Sequence, residues 1–414
     1  MTENIPTIDQ LSSPAIGPRW PRTGRRRALI GLAAGIVLLI GGVAAYRWWT
    51  GWPVRIELRA AGDVMPRAFS PDGMVLATSG DGGISIWDVA DGRRLATWPS
   101  QHGAFFLYGC AFAPDGRTFV ARWHMLDARS PTAFDIIDVA TGRVRGTVTC
   151  AHGNCYGMAF DADSRNVRLV VRGPGGIEVV DCDLASGRES SRRTLTMAFA
   201  SQVMKFSPDG RHLAAVPWGT PPATGSPSDI RLWDVDRDRE VARLPGPPGV
   251  KPSGTLEFSP DGSALAIGRD DGSIELWDVG SRRLRTTLRG HAAGHESNFV
   301  RFSPDGSALA SVGWYSGRSL TLDAIRLRIA QSLGDDRWRP DDEVVVLSAT
   351  SGRRIGVVPS ESWPLISPDG RTLATSWSPE PYAALAKPHA AIVTRLRTIP
   401  GRPPKVAPPR SPRE

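Results

Sequence analysis

Catalytic signatures are missing from this sequence. It has no Gly-x-Ser-x-Gly elbow, no His-Glu-x-x-His helix and no glycine-rich phosphate loop. Its seven histidines are scattered at positions 102, 124, 152, 212, 291, 295 and 389. His291 and His295 with Glu296 come nearest to a metal set, but no further ligand is fixed by spacing. The acids Asp335, Asp336, Asp341, Asp342 and Glu343 enclose Arg337 and Arg339, which reads as a self-neutralising solvated loop. Cysteine is scarce, with four in 414 residues, too few for a disulfide scaffold. Cys150 and Cys155 stand close enough for a local disulfide or for two free thiols; Cys110 and Cys182 fall in apolar surroundings, as small core residues do. No enzymatic activity, cofactor or metal is therefore expected. Spacing leaves one rival open: acids from distant parts of the chain could still converge on a hydrolytic or ligand-binding site.

A basic core is missing as well. The formal net charge is +8, yet residues 1–27 contribute +3 and residues 395–414 contribute +5, so the body between them is neutral. A domain that tracks nucleic-acid phosphates concentrates its charge in the body. No nucleic-acid partner is expected.

Long apolar runs are rare, and the single exception is informative. Ala28 to Ala45 is eighteen residues without a charge. As a helix it would be about 27 Å long at 1.5 Å per residue, close to the thickness of a hydrocarbon core. Arg25-Arg26-Arg27 precedes it, and Tyr46, Trp48, Trp49 and Trp52 follow where interfacial aromatics belong. The expectation is one transmembrane helix over 28–46, a cytoplasmic and disordered segment 1–27, and a juxtamembrane linker 47–53. Everything after it is then extracytoplasmic. A cleaved signal peptide, ending near Val43-Ala44-Ala45, and a twin-arginine export signal are the competing readings.

What the chain has in abundance is turns. An apolar residue followed by a Ser-Pro-Asp-Gly-like turn occurs seven times, starting at Ser70, Ala113, Asp161, Ser207, Ser259, Ser303 and Ser367. The third has degraded to Asp161-Ala162-Asp163-Ser164. Spacings of 43, 48, 46, 52, 44 and 64 residues define a period in the forties with insertions. Pro pre-sets φ, Asp bonds its own backbone and Gly accepts φ > 0, so each turn joins two strands. The clearest unit, Gly254 to His291, reads as four short strands with Ile274-Glu275-Leu276-Trp277 as the third. Val54 to Arg59 resembles a fourth strand standing before the first unit. The last unit breaks into Ile399-Pro400-Gly401 before forming its own fourth strand. The orphan and the vacancy match, which predicts a ring closed by the N-terminal strand.

Phe-Ser-Pro-Asp-Gly, a strand, Asp-Gly and then Ile-x-Leu-Trp-Asp-Val resembles the tryptophan–aspartate (WD) repeat β-propellers over about residues 53–397. The third-strand ending reads Ile86-Trp87-Asp88, Ile137-Asp138, Val180-Asp181, Leu232-Trp233-Asp234 and Leu276-Trp277-Asp278, decaying to Leu347-Ser348 and Arg395-Leu396. The resemblance implies an all-β, seven-bladed β-propeller of four-stranded antiparallel blades over 54–397, followed by a disordered Pro/Arg-rich tail, 398–414. His291 takes the family's structural histidine position, and no unit keeps the family's whole His–Ser/Thr–Trp–Asp network. The fold should then rest on blade-to-blade apolar packing and turn chemistry.

Departures from the period mark where function is expected. Insertions fall at His124–Ala133, Trp218–Asp229, Trp314–Asp342 and Trp377–Ala390, all between second and third strands and so all on one face. In the largest, Leu322, Ile325, Ile329 and Leu333 have helical spacing with Gly334 as a cap. Trp218, Trp314, Tyr315, Arg337, Trp338 and Trp377 are the candidate partner-binding residues. The function expected is a membrane-anchored scaffold for a protein partner. The alternative is a hydrolase or ligand-binding sensor with its site at the channel mouth.

Overall fold

The computed structural model describes residues 52, 54–60, 64–80, 83–99, 105–125, 132–150, 155–197, 199–218, 229–291, 295–315, 343–359, 362–377 and 393–399. These residues form seven four-stranded antiparallel sheets. Six take their strands in chain order. The seventh is built from Ser362–Ile366, Thr372–Trp377, Val393–Thr398 and, as its outer member, the N-terminal strand Val54–Leu58. Ile56 pairs with Leu396, and Leu58 with Thr394. Ring closure by the N-terminal strand is thus observed, and it protects what would be an open edge.

Seven apolar clusters hold the ring, one at each junction between blades. Leu213, Ala215, Trp233 and Val235 of blade 4 pack on Val170, Ile177 and Val179 of blade 3. Leu58, Ala374 and Leu396 of blade 7 pack on Leu76, Trp87 and Val89 of blade 1. The strands supply such faces because both sides of a blade are covered by neighbours, so residues of both phases are buried: Ala264–Arg269 is buried at every position.

Turn chemistry supports the packing. In the Ser-Pro-Asp-Gly turns, Ser259 Oγ donates to Asp261 Oδ1 at 2.6 Å and Ala264 N donates to Ser259 Oγ at 2.8 Å. The pattern recurs at Ser70, Ser207, Ser303 and Ser367. In the degraded third turn Asp161 takes over the serine's role, accepting from Asn166 N at 2.9 Å, and Ser164 sits at φ 55° where the other turns have glycine. Where the third strand ends on an aspartate, in blades 1 to 5, that residue caps the next turn: Ser281 N donates to Asp278 Oδ1 at 2.7 Å and Ser186 N to Asp183 Oδ1 at 2.7 Å.

Register corrects two of the third-strand assignments. Trp277 pairs with Leu265 in blade 5. The equivalent pair in blade 3 is Cys182 with Val167, so Cys182-Asp183, and not Val180-Asp181, stands at the Trp-Asp position. Aspartates two residues apart point to the same face of a strand, which makes the two frames look alike. In blade 7 the equivalent pair is Arg397 with Leu373, so Arg397-Thr398 stands at the Trp-Asp position, two residues beyond the expected Arg395-Leu396. Arg397 Nη1 there donates to the carbonyl of Trp52.

Trp52 is itself a correction. Placed by sequence among membrane-interface aromatics, it is 7% exposed and packs in the core between blades 6 and 7. The space is made by Gly356, where a Cβ would come within 2.4 Å of the indole. Among the described residues no helix is long and apolar enough to cross a membrane. The segment 28–46 lies outside them, as do 1–27 and the tail 400–414.

Candidate functional site

Each blade runs inside to outside, so every second strand ends on the same face of the ring, and the four lengthened connections leave from there. They join Thr118–Met125 to Thr132–Asp138, His212–Trp218 to Ile230–Asp234, Ala308–Tyr315 to Glu343–Ser348 and Thr372–Trp377 to Val393–Thr398. Trp218, Trp314 with Tyr315, and Trp377 end the second strands of blades 4, 6 and 7, so their backbones share this face. Their side chains lie outside what the structure describes, as do Arg337, Trp338 and the expected helix at 322–333. Cys150 ends the last strand of blade 2 and Cys155 opens blade 3; their pairing is likewise outside the described side chains.

His291 does lie in a described environment. Its ring is fully buried between Ser311 Oγ, 2.9 Å from Nε2, and Glu343 Oε1, 3.3 Å from Nδ1. Ser311 Oγ also meets Ser297 Oγ at 2.8 Å. Both ring nitrogens thus have partners within the fold, which is a structural use of the histidine. Glu343 belongs to this network and not to the solvated acidic loop expected from the sequence.

The other blades solve the same burial problem differently. In blade 1 Trp87 Nε1 donates to Thr78 Oγ1 at 2.7 Å. In blade 2 the indole is on the second strand, Trp123 donating to Asp135 Oδ2 at 2.8 Å, and Thr147 Oγ1 donates to the other oxygen at 2.7 Å. In blade 5 Trp277 Nε1 donates to Glu275 Oε2 at 2.9 Å, and the same oxygen receives Arg269 Nη2 at 2.5 Å. This last pair is sealed: the side chains of Arg269 and Glu275 are 0% and 2% exposed.

A different charged group joins the innermost strands of neighbouring blades. Lys205 on Ala200–Phe206, Glu257 on Pro252–Phe258 and Arg301 on His295–Phe302 occupy one register position in three consecutive blades. Lys205 Nζ lies 2.7 Å from Glu257 Oε2, and Arg301 Nη1 donates to both Glu257 oxygens at 3.1 Å. Burial, followed by the nearby Arg301 charge, lowers the Lys205 amine from its ordinary value. Burial would raise Glu257, but Arg301 and Lys205 outweigh it and hold the carboxyl below its usual range. Cys110, on Phe105–Phe112, is pushed up to about 12 by burial despite the fields of Arg67 and Arg301, so this thiol is protonated at neutral pH and is no nucleophile. The signal for the triad was present in the sequence: each member directly precedes the phenylalanine of a Phe-Ser-Pro-Asp-Gly turn.

Two clefts open at blade junctions. One of about 440 Å³ between blades 3 and 4 contains Arg168, whose guanidinium is occupied by Asp181 at 2.7 Å, Asp236 at 3.0 Å and the Gly210 carbonyl at 3.1 Å. The other, about 300 Å³ between blades 1 and 2, is lined by Trp98 and by Trp123 and Asp135, which are bonded to each other as described above. Among the described residues no group of three or more His, Cys, Asp or Glu side chains is arranged to hold a metal ion.

With this geometry in place, comparison with known families is informative. Residues 67–88 and 243–278 match the family model described as WD domain, G-beta repeat. Together with the seven blades, this supports a WD-repeat propeller. Both matches end on a Trp-Asp pair, and the second begins in the outermost strand of blade 4, Arg239–Leu244. The sequence repeat is therefore offset from the blade by one strand, the same offset that leaves Val54–Leu58 to complete blade 7. No match was found among curated proteins.

Proposed function

We propose that the protein is a membrane-anchored, non-enzymatic scaffold that receives a protein partner on the face carrying its long connections. One observation carries the reading: four of the seven connections between second and third strands are lengthened, and all leave the same face of the ring. A WD-repeat propeller is consistent with such a role. Insertions at tolerant surface loops cost the fold little, so their concentration on one face reflects use of that face. Trp218, Trp314, Tyr315 and Trp377 stand at the roots of three of these connections, with Arg337 and Trp338 inside the longest, and aromatic and arginine side chains are effective interface anchors. The apolar run 28–46, flanked by Arg25-Arg26-Arg27, supports single-pass anchoring with the N-terminus cytoplasmic and the propeller outside.

Membrane fractionation with protease shaving of intact cells tests the anchor. The full chain should sediment with membranes, and its propeller should be cleaved from the extracytoplasmic side. Recovery of a soluble chain lacking residues 1–45 would replace the anchor with a cleaved signal. In-cell cross-linking followed by affinity capture tests the partner. The captured protein should be lost when residues 316–342 are replaced by a short Gly/Ser linker and retained when the Ser-Pro-Asp-Gly turns on the opposite face carry surface substitutions. Retention in the first case and loss in the second would overturn the assignment of the face.

A further inference from the structure

Exposed apolar side chains scattered singly over a surface are ordinary, but in this protein they are grouped. Among the described residues four large hydrophobics are exposed: Val54, Met74, Leu95 and Leu284. The first three surround one turn, 88–94, at the junction of blades 7 and 1. The Arg55 guanidinium donates to the Val89 carbonyl, which sets Val54 beside that turn. Val89 N donates to the Met74 carbonyl at 3.0 Å. Leu95 is the second residue of the strand that leaves the turn, Arg94–Pro99. Ile56 lies against Gly92 of the same turn, where a Cβ would meet its Cγ2 at 2.4 Å.

The group belongs to one face. Met74 follows a Ser-Pro-Asp-Gly turn, 88–94 joins a third strand to a fourth, and Val54 pairs with Arg397 near the end of the third strand of blade 7. All of these positions lie opposite the long connections.

Two further observations bear on what covers the group. Trp52, two residues before Val54, is fixed in the core between blades 6 and 7, and its carbonyl is held by Arg397. Only residues 47–51 separate it from the apolar run 28–46, so no more than ~20 Å of extended chain joins the run to the propeller. The exposed Arg55, Arg93 and Arg94 are matched in number by Asp72, Asp88 and Asp91, which leaves the group apolar without a net charge. Arginine stems lie along apolar surface while their guanidinium groups reach phosphates.

We infer that this rim is a lipid-contact surface: Val54, Met74 and Leu95 rest in the headgroup layer of the membrane that carries the run 28–46. The inference rests on the anchoring proposed above and gives it a direction. The long connections point away from the lipid, and a partner bound to them is held clear of the membrane.

Photo-cross-linking of the full chain, reconstituted in phosphatidylcholine vesicles, tests this. The photo-reactive residue p-benzoylphenylalanine replaces Met74 or Leu95 and, for comparison, Asp271, an exposed residue of the turn between the second and third strands of blade 5. Vesicle flotation reads the anchor, and phosphatidylcholine adducts read the face. Floating protein should carry adducts at 74 and 95 and almost none at 271. Inserting about twenty Gly/Ser residues after Trp49 adds ~25 Å of r.m.s. span, and it should leave flotation intact while reducing both adducts severalfold. Three results in floating protein would overturn the surface and leave the anchor standing: adducts at 271 equal to those at 74 and 95, adducts at no position, or adducts untouched by the insertion. A chain that does not float would overturn the anchor, and this surface with it.

Discussion

Blades 5 and 6 are neighbours with opposite characters. Blade 5 has the most regular sequence of the seven, yet it buries the boldest polar group, the sealed Arg269–Glu275–Trp277 network. Blade 6 has lost both residues of the Trp-Asp pair, with Leu347 and Ser348 in their places, and holds a network of His291, Ser311, Ser297 and Glu343. The lesson is that the motif and the stabilising network separate easily. A blade needs its inner polar edge satisfied, and several sets of side chains can do it. What both blades keep is the apolar packing of Val300, Leu309, Val345 and Leu347 against Leu276 and Leu288.

The comparison breaks most sharply at the buried ion pair. Arg269→Met leaves the Glu275 carboxylate sealed without its cation and is expected to destabilise by about 3–5 kcal/mol in urea unfolding. Adding Glu275→Gln removes that charge while still accepting from Trp277 and should recover much of the loss. In blade 6, His291→Ala should cost less, about 1–3 kcal/mol, since the groups exposed by its removal are shared with other hydrogen bonds. Equal costs in the two blades would mean that sealing a charge is not what distinguishes them.

The turns after the third strands give smaller tests. Gly352 in blade 6 lies at φ 68° and Arg282 in blade 5 at φ 62°, the same left-handed turn position. Gly352→Ala should destabilise by about 1–2 kcal/mol, because a Cβ there meets Leu288 Cδ2 at 2.9 Å as well as paying for the backbone conformation. Arg282→Gly should stabilise by about 0.5–1 kcal/mol, read as a raised thermal midpoint. A lowered midpoint would show that the Arg282 side chain contributes something beyond its backbone.

The last difference contributes in full at neutral pH and is lost only in acid. The Ser281 backbone N–H and then the Arg285 guanidinium lower the Asp278 carboxyl to about 2. A carboxyl depressed below its unfolded value of about 3.9 stabilises the fold above that pH. The contribution disappears as pH falls toward 2. Asp278→Asn should flatten the acid limb of stability between about pH 4 and pH 2. Ser348→Asn, at the equivalent place in blade 6, should leave the limb unchanged. A limb unaffected by Asp278→Asn would remove this turn from the acid response.

The architecture was legible in the sequence because its signals are local. Seven Ser-Pro-Asp-Gly-like turns, the orphan strand Val54–Leu58 and the vacancy after Val393–Thr398 gave blade number and ring closure together. The frame errors at Val180-Asp181 and Arg395-Leu396 arose where the Trp-Asp pair had decayed and only pairing register could decide. Trp52 misled because an indole beside an apolar run looks the same whether it meets lipid or the cavity over Gly356.

By itself, then, the sequence determined the repeat, the turns and the strand order, since a turn residue acts on its own backbone within a few positions. It also placed the long connections on one face, because strand direction alternates within each blade. Only the tertiary structure decided which polar side chains meet. Lys205, Glu257 and Arg301 are 52 and 44 residues apart and come within 3.1 Å only because the ring brings equivalent positions of successive blades together. Arg269 and Glu275 are near in sequence, yet their sealing depends on blades packed on either side. Charge and burial are properties of the assembled ring, and no window of the chain contains them.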